Sequence, residues 1–199
     1  MINHCFADLK LADVILDQII KELDSPNSGD FYEAMIFNPL QKAHNSSTRS
    51  TKIKMMQDEV WVGAFFRHYL NMINEKFYKF DLSPYHDKSK FQYTYYREGD
   101  YYQWHRDVMP EMTKKQESIR KLSYSVLLND DYEGGDLELA YLNNVDSAEG
   151  DKPECEIFTA PKKRGTMVVF PSETMHRVTP VTKGVRKSIV GWVVGPRFV

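Results

Sequence analysis

The sequence predicts an α+β fold that is mainly β, in which helices in the first half buttress a sandwich of short strands in the second. Three observations predict it. Two stretches before residue 85 repeat their apolar residues at the i, i+3, i+4 spacing of a helix. After residue 90 the chain breaks into short runs rich in aromatic and β-branched residues. Turn residues punctuate those runs. Helices that precede the strands, rather than alternating with them, indicate segregated layers and not a parallel α/β sheet.

The first helix is expected from about Ala7 to Leu23, on Leu9, Leu11, Val14, Ile15, Leu16, Ile19, Ile20 and Leu23. Asp8, Asp13 and Asp17 lie in its N-terminal half and Lys21 near its end, the sense favoured by the helix dipole. Ser25-Pro-Asn-Ser-Gly29 stops it. Phe31 to Phe37 reads as a strand, and the polar segment Gln41 to Lys54 as a loop running into an edge strand. A second helix is expected from Asp58 to Tyr78, with Trp61, Phe65, Tyr69, Met72, Ile73 and Phe77 on one broad stripe. Such a stripe predicts packing against a sheet rather than a cofactor box. Leu82-Ser-Pro84 ends the helical half.

Strands are expected at Phe91 to Tyr96, Leu122 to Leu128, Asp136 to Tyr141, Glu156 to Thr159, Thr166 to Phe170 and Lys187 to Val194. The turns between them fall at Arg97 to Asp100, Glu133 to Gly135, Lys162 to Gly165, Pro171-Ser172 and Lys183-Gly184. This pattern predicts a jelly roll. One domain over 1–199 is expected, with 1–85 as a helical support region and 91–194 as the core, and the chain is long enough to bury that core without staples. The polar insertions Met109 to Ser118 and Leu142 to Pro153 are candidate lids, with His44 to Lys52 a third.

Composition narrows the function. A hydrophobic content of 42% with 27% charged residues is ordinary for a soluble protein. The net charge of -2 supplies no general attraction to nucleic acid or anionic membranes. Cys5 and Cys155 are too few for a disulfide framework and lack C-x-x-C spacing, so they read as reduced thiols in a cytoplasmic protein. No basic leader precedes an apolar run, and no 18-residue apolar stretch occurs. A soluble, unprocessed chain that does not enter a membrane is expected; the oligomeric state is not legible.

The chemistry concentrates between Tyr96 and Asp107, at His105-x-Asp107. Six histidines and fifteen aspartates produce about one His-x-Asp pair by chance in every two chains of this composition, so the pair needs context. Downstream, His176 follows the strand-turn segment Gly165 to Pro171, and Arg186 comes ten residues after it. Two imidazoles and one carboxylate make the facial set used by non-haem Fe(II) oxygenases. The planar fork of an arginine is suited to a carboxylate. A zinc-binding jelly roll without catalysis remains open at this point, because zinc accepts the same donors. His4, His44, His68 and His86 have no ligand-like partners in the sequence, and Lys162-Lys-Arg164 reads as a solvated turn.

From about Phe91 to Val194 the sequence resembles the Fe(II)- and 2-oxoglutarate-dependent dioxygenases of the prolyl 4-hydroxylase type. Four blocks carry the resemblance: Tyr96-x-x-Gly99-x-x-Tyr102-x-x-His105-x-Asp107; Leu122 to Asn129; Tyr132 to Leu137; and Gly165 to Trp192. Within the last, the run Val178-Thr-Pro-Val181 is similar to bacterial hydroxylases of the prolyl-lysyl type. The resemblance implies a double-stranded β-helix in which His105, Asp107 and His176 bind Fe(II) and Arg186 pairs with the distal carboxylate of 2-oxoglutarate. Tyr96 and Ser125, with Ser123 and Leu127 on the same strand face, would line the cosubstrate pocket, and Trp192 would share the face of Arg186. Close relatives use a tyrosine at the Leu127 position to help hold that carboxylate, so Arg186 would need another helper here. The implied cosubstrates are 2-oxoglutarate and O2, with ascorbate as an accessory reductant. The implied reaction is hydroxylation of an unactivated C–H, most simply of a prolyl side chain in a protein or peptide, with release of succinate and CO2. Free amino acids, other small molecules and nucleobases are the alternative substrates. Nucleobase oxygenases carry a further arginine six residues after the cosubstrate arginine, where this chain has Trp192.

Overall fold

Along the central strands, alternate side chains face two different cores, and this alternation sets the architecture. The computed structural model describes residues 4–34, 48–57, 61–84, 90–108, 118–143 and 154–197. Two helices, α1 (Asp13–Leu23) and α2 (Trp61–Ile73), accompany the strands, and α2 continues into a π-helical turn at Asn74–Tyr78. The strands are β1 (Cys5–Asp8), β2 (Tyr32–Glu33), β3 (Arg49–Ser50), β4 (Lys52–Gln57), β5 (Lys90–Tyr96), β6 (Tyr101–His105) and β7 (Ser118–Leu127). They continue with β8 (Glu133–Gly134), β9 (Leu137–Asn143), β10 (Glu154–Thr159), β11 (Thr166–Pro171), β12 (Met175–Val178), β13 (Val181–Lys183) and β14 (Arg186–Pro196).

A large antiparallel sheet runs β1-β11-β7-β14-β5-β4-β2, a smaller one runs β10-β9-β12-β6-β3, and β8 pairs with β13. Tyr124, Val126, Met167, Val169, Ile189, Val193, Phe91 and Tyr93 of the large sheet pack with Leu16, Ile19 and Leu23 of α1 and Val62, Phe66 and Leu70 of α2. The intervening residues point the other way. Tyr96, Val168 and Phe170 meet Leu137, Leu139 and Val178 of the smaller sheet. The expected jelly roll is therefore present, with one core under the helices and a second between the sheets.

Gly191 shows how closely β14 and β7 are fitted. A Cβ at that position would sit 2.4 Å from the ring of Tyr124, its partner in register. Only glycine leaves room for the ring to lie flat over the strand.

Four features differ from the sequence reading. The first helix begins at Asp13 rather than Ala7, because Cys5–Asp8 forms edge strand β1 against β11 and the chain turns at Lys10, whose φ is 49°. Leu9 and Leu11, which lie between that strand and the helix, continue the helical repeat in the sequence and so extended it toward Ala7. On α2 the buried face is Val62, Phe66, Leu70 and Ile73, while Trp61, Met72 and Phe77 are exposed. Trp61, Phe65 and Tyr69 form an edge-to-face ladder on the flank, which drew the expected stripe away from the true centre of the face. Third, β4 lies inside the large sheet between β5 and β2; it is β3 that forms an edge, in the smaller sheet. Finally, the residues before 85 contribute four strands as well as both helices. Of the expected strand Phe31 to Phe37, Tyr32–Glu33 is observed and residues 35–37 lie outside the described residues, as do 58–60 of the second helix and nearly all of the two principal lid segments.

The end of α1 is held from inside. Lys54 is 3% exposed and donates from Nζ to the carbonyl oxygen of Leu23 at 2.8 Å and to Ser28 Oγ at 2.9 Å. A buried ammonium thus satisfies a carbonyl that the helix leaves without an internal partner.

Candidate metal centre and cosubstrate pocket

His105 ends β6 and His176 lies on β12, and the two are direct partners across the antiparallel pair. Their side chains emerge on the same face, with ring centroids 4.0 Å apart. Asp107 follows in the turn after β6, fixed by its backbone N–H donating to the Ser172 carbonyl at 2.9 Å. One carboxylate oxygen is 3.9 Å from His105 Nε2 and the other 3.6 Å from His176 Nε2. One ligand atom from each residue falls within a 4.8 Å cluster, which could hold a metal ion.

The surroundings prepare these donors. His105 Nδ1 lies 2.8 Å from the Gln103 carbonyl and His176 Nδ1 lies 2.9 Å from the Thr174 carbonyl. Each carbonyl can only accept, so Nδ1 carries the proton and Nε2 keeps its lone pair toward Asp107. Burial, reinforced by the neighbouring His176, pushes the His105 imidazole down to about 3 against the opposing pull of Asp107. It is neutral at physiological pH, as a metal ligand must be. Burial would raise the Asp107 carboxyl, but the two imidazoles, a hydrogen bond from Ser123 and the nearby Arg120 outweigh it and hold the group below the usual range. Ser123 Oγ donates to Asp107 Oδ2 at 2.6 Å and is itself 2.9 Å from Ser172 Oγ.

The cluster opens into a cavity of about 280 Å³, also lined by Tyr96, Tyr102, Ser125, Phe170, Arg186 and Trp192. Tyr102 stacks on His105 at 3.5 Å, and Phe170 packs against His176 at 4.7 Å. Arg186 begins β14 opposite Tyr96, whose ring lies 5.5 Å from its guanidinium carbon. The side chain is 3% exposed. Its Nη1 donates to Ser188 Oγ at 2.5 Å, its Nε has no partner, and no carboxylate among the described residues pairs with it. An unpaired buried guanidinium is costly, so this donor set fits an anionic ligand.

Tyr132 opens one of the four blocks that carry the resemblance, but no place in the pocket is expected of it. It is 7% exposed and shares a small side cavity with Ser125, Leu127 and Arg186; burial raises its phenol against the opposing pull of the Arg186 guanidinium. Gly135 makes this proximity possible: a Cβ there would sit 3.1 Å from the Tyr132 ring and 3.2 Å from Arg186 Cδ, and its φ of 61° also favours glycine. Tyr132, rather than Leu127, brings a phenol to that side cavity. Arg49 and Arg120 also line the main cavity and were likewise missed. Arg49 falls in the segment His44 to Lys52, expected as a loop running into an edge strand and as a third candidate lid, but no single residue of it is singled out by the sequence.

Among known proteins, the 2OG-Fe(II) oxygenase superfamily model matches residues 91–194, slightly more than half of the chain. A PKHD-type hydroxylase of Hyphomonas neptunium is 36% identical over 99 residues, covering 48% of this chain and 38% of that protein. A PKHD-type hydroxylase of Synechococcus is 31% identical over 100 residues, covering 49% and 39%. The matches thus span about two fifths of the length of these curated relatives. In three dimensions the chain is similar to a Pseudomonas putida prolyl-4-hydroxylase, with a TM-score of 0.66 at 18% identity, covering 98% of this chain and 94% of the other. It is also similar to a Trichoplax adhaerens prolyl hydroxylase in complex with a hypoxia inducible factor peptide fragment, at 0.65 and 16%, covering 96% and 83%. At these identities the structural likeness speaks to the fold.

Proposed function

The chain belongs to the 2OG-Fe(II) oxygenase superfamily, and on that premise we propose that it hydroxylates an unactivated C–H bond of a prolyl side chain in a protein or peptide, using 2-oxoglutarate and O2. One observation carries this reading: a buried arginine without a counterion shares a cavity with a buried His-Asp-His cluster. A purely structural zinc site would leave Arg186 without a purpose. Fe(II) would be held by the Nε2 atoms of His105 and His176 and by the Asp107 carboxylate. When bound, it would supply the oxidative decarboxylation of 2-oxoglutarate to succinate and CO2, coupled to oxygen insertion at the substrate C–H.

The chain's own residues do the rest. Arg186, with Tyr132 beside it, holds the distal carboxylate of the cosubstrate in charge-assisted hydrogen bonds. Tyr96 and Ser125 form the wall next to that carboxylate. Ser123 orients the Asp107 carboxylate, and the Gln103 and Thr174 carbonyls fix both imidazoles. Phe170, Val178, Val190 and Trp192 exclude water from the remaining space. Ascorbate would serve as an accessory reductant. A peptide substrate is supported by the peptide bound to the Trichoplax adhaerens neighbour.

Anaerobic titration of the protein with Fe(II) and then 2-oxoglutarate tests the reading. A metal-to-ligand charge-transfer band in the visible region is expected. A parent protein that binds Fe(II) but develops no band on adding 2-oxoglutarate returns the site to a structural metal.

A further inference from the structure

The cavity carries more positive charge than the proposed cosubstrate uses. Arg49, Arg106, Arg120 and Arg186 all line it, and among the described residues Asp107 is its single acidic group. Asp107 is committed to the metal and Arg186 to 2-oxoglutarate. Arg49 is then the outstanding feature. It reaches the cavity from β3, which pairs with β6 and so sits beside the His105 strand. It is 9% exposed, and its guanidinium carbon lies 4.5 Å above the Tyr102 ring, the same ring that stacks on His105. Its Nη2 donates to Gln92 Oε1 at 3.2 Å, but its buried Nε has no partner among the described residues. No carboxylate among the described residues pairs with it. Packing on Tyr102 alone would explain the stacking, but not a buried guanidinium edge left without an acceptor.

A second cation stands on the wall formed by β7 and β14. The Arg120 guanidinium lies 4.1 Å over the Trp192 ring and, among the described residues, donates to the backbone carbonyl of Asp107 alone, at 3.3 Å. Arg49 and Arg120 therefore flank the metal cluster from two walls, each with hydrogen-bonding capacity to spare.

We infer that Arg49, assisted by Arg120, forms a carboxylate subsite, and that the substrate carries a carboxylate close to the C–H bond that is oxidised. The inference rests on the proposed oxygenase reading and adds the substrate's charge to it. A single guanidinium edge on each wall, in a cavity of about 280 Å³ that also takes 2-oxoglutarate, suits a carboxylate rather than a bulkier phosphate. Two sources offer that group: the side chain of an Asp or Glu next to the target residue in a peptide, or the α-carboxylate of a free amino acid.

The test uses the protein held anaerobically with Fe(II) and 2-oxoglutarate, so that the charge-transfer band reports first on cosubstrate binding and then on its perturbation by a probe. One pair of probes is end-blocked prolyl peptides with Asp or Glu beside proline and the same peptides with Asn or Gln. The other is L-proline with the remaining free L-amino acids, against their amides. At least tenfold tighter binding of the acid than of the amide is expected in one pair, and the pair that shows it identifies the source. Arg49→Gln should reduce that preference below threefold, whereas Arg49→Lys should keep part of it. Equal binding of acids and amides, no binding of any probe, or a preference that survives in Arg49→Gln overturns the inference. The parent comparison stands alone if the variants fail to fold. Absence of the band before any probe is added instead refutes the cosubstrate reading, so the two failures are distinguishable.

Discussion

Replacing Arg186 by methionine should change the ligand-free protein and the cosubstrate-bound protein in opposite directions. The guanidinium is 3% exposed and donates to the Ser188 hydroxyl, with the Tyr132 ring beside it in the same side cavity and Nε without a partner among the described residues. Hydroxyls satisfy individual N–H groups but do not neutralise the charge, so desolvation is only partly offset. Methionine has a similar length and no charge to bury, so the variant should melt at the parent's temperature or above it. Truncating one partner of a buried charge pair typically costs about 2–5 kcal/mol of binding, much of it from leaving the other charge unpaired. That corresponds to roughly a 30- to 5,000-fold weaker affinity for 2-oxoglutarate. Arg186→Lys should fall between, because it keeps the charge and loses the fork. Thermal denaturation without ligand and the anaerobic charge-transfer titration measure the two arms. An Arg186→Met protein that binds 2-oxoglutarate within threefold of the parent would remove Arg186 from the cosubstrate site.

His105→Ala, Asp107→Ala and His176→Ala should each abolish Fe(II)-dependent succinate formation from 2-oxoglutarate while circular dichroism stays native; normal turnover in any of them refutes that residue's assignment. Gly191→Ala should destabilise the fold by about 1–3 kcal/mol through overpacking against the Tyr124 ring. Adding Tyr124→Leu should recover part of the loss in chemical denaturation, and a neutral Gly191→Ala would contradict the packing described. Burial raises the phenols of Tyr78, Tyr93, Tyr102 and Tyr141, Tyr102 to about 12. Because the folded values lie above the unfolded one, their contribution is complete below pH ~10 and is lost as pH rises, at about 1.4 kcal/mol per pH unit for each tyrosine. Denaturant midpoints should therefore fall above pH ~10, and less steeply in Tyr93→Phe; a midpoint that is flat from pH 9 to 11 contradicts this.

Much of the fold was legible because its determinants are local. Period-two runs placed β5, β7, β11 and β14 within a few residues of where they lie. The same alternation put Ser123, Ser125 and Leu127 together on β7 and Arg186 and Trp192 together on β14, and the pairing of these strands makes them one face, which is where the cavities and the Asp107 contact find them. Where local signals overlapped, the reading slipped. Leu9 and Leu11 of the connection between β1 and α1 fused with the helical repeat, and on α2 three aromatics outweighed the Val62, Phe66 and Leu70 face. Neither error could be corrected without knowing what each face packs against.

The sequence by itself determined the order and spacing of His105, Asp107, His176 and Arg186, since each is placed along the chain by its own local strand and turn signals. The tertiary structure decided which other residues share that space. Arg49 comes from a short edge strand more than fifty residues earlier, and Tyr132 from a turn that Gly135 lets pack closely beside Arg186. Their positions follow from strand pairing and burial between distant parts of the chain. No residue's own neighbours encode the absence of a counterion around a buried arginine; that is a property of the folded cavity alone.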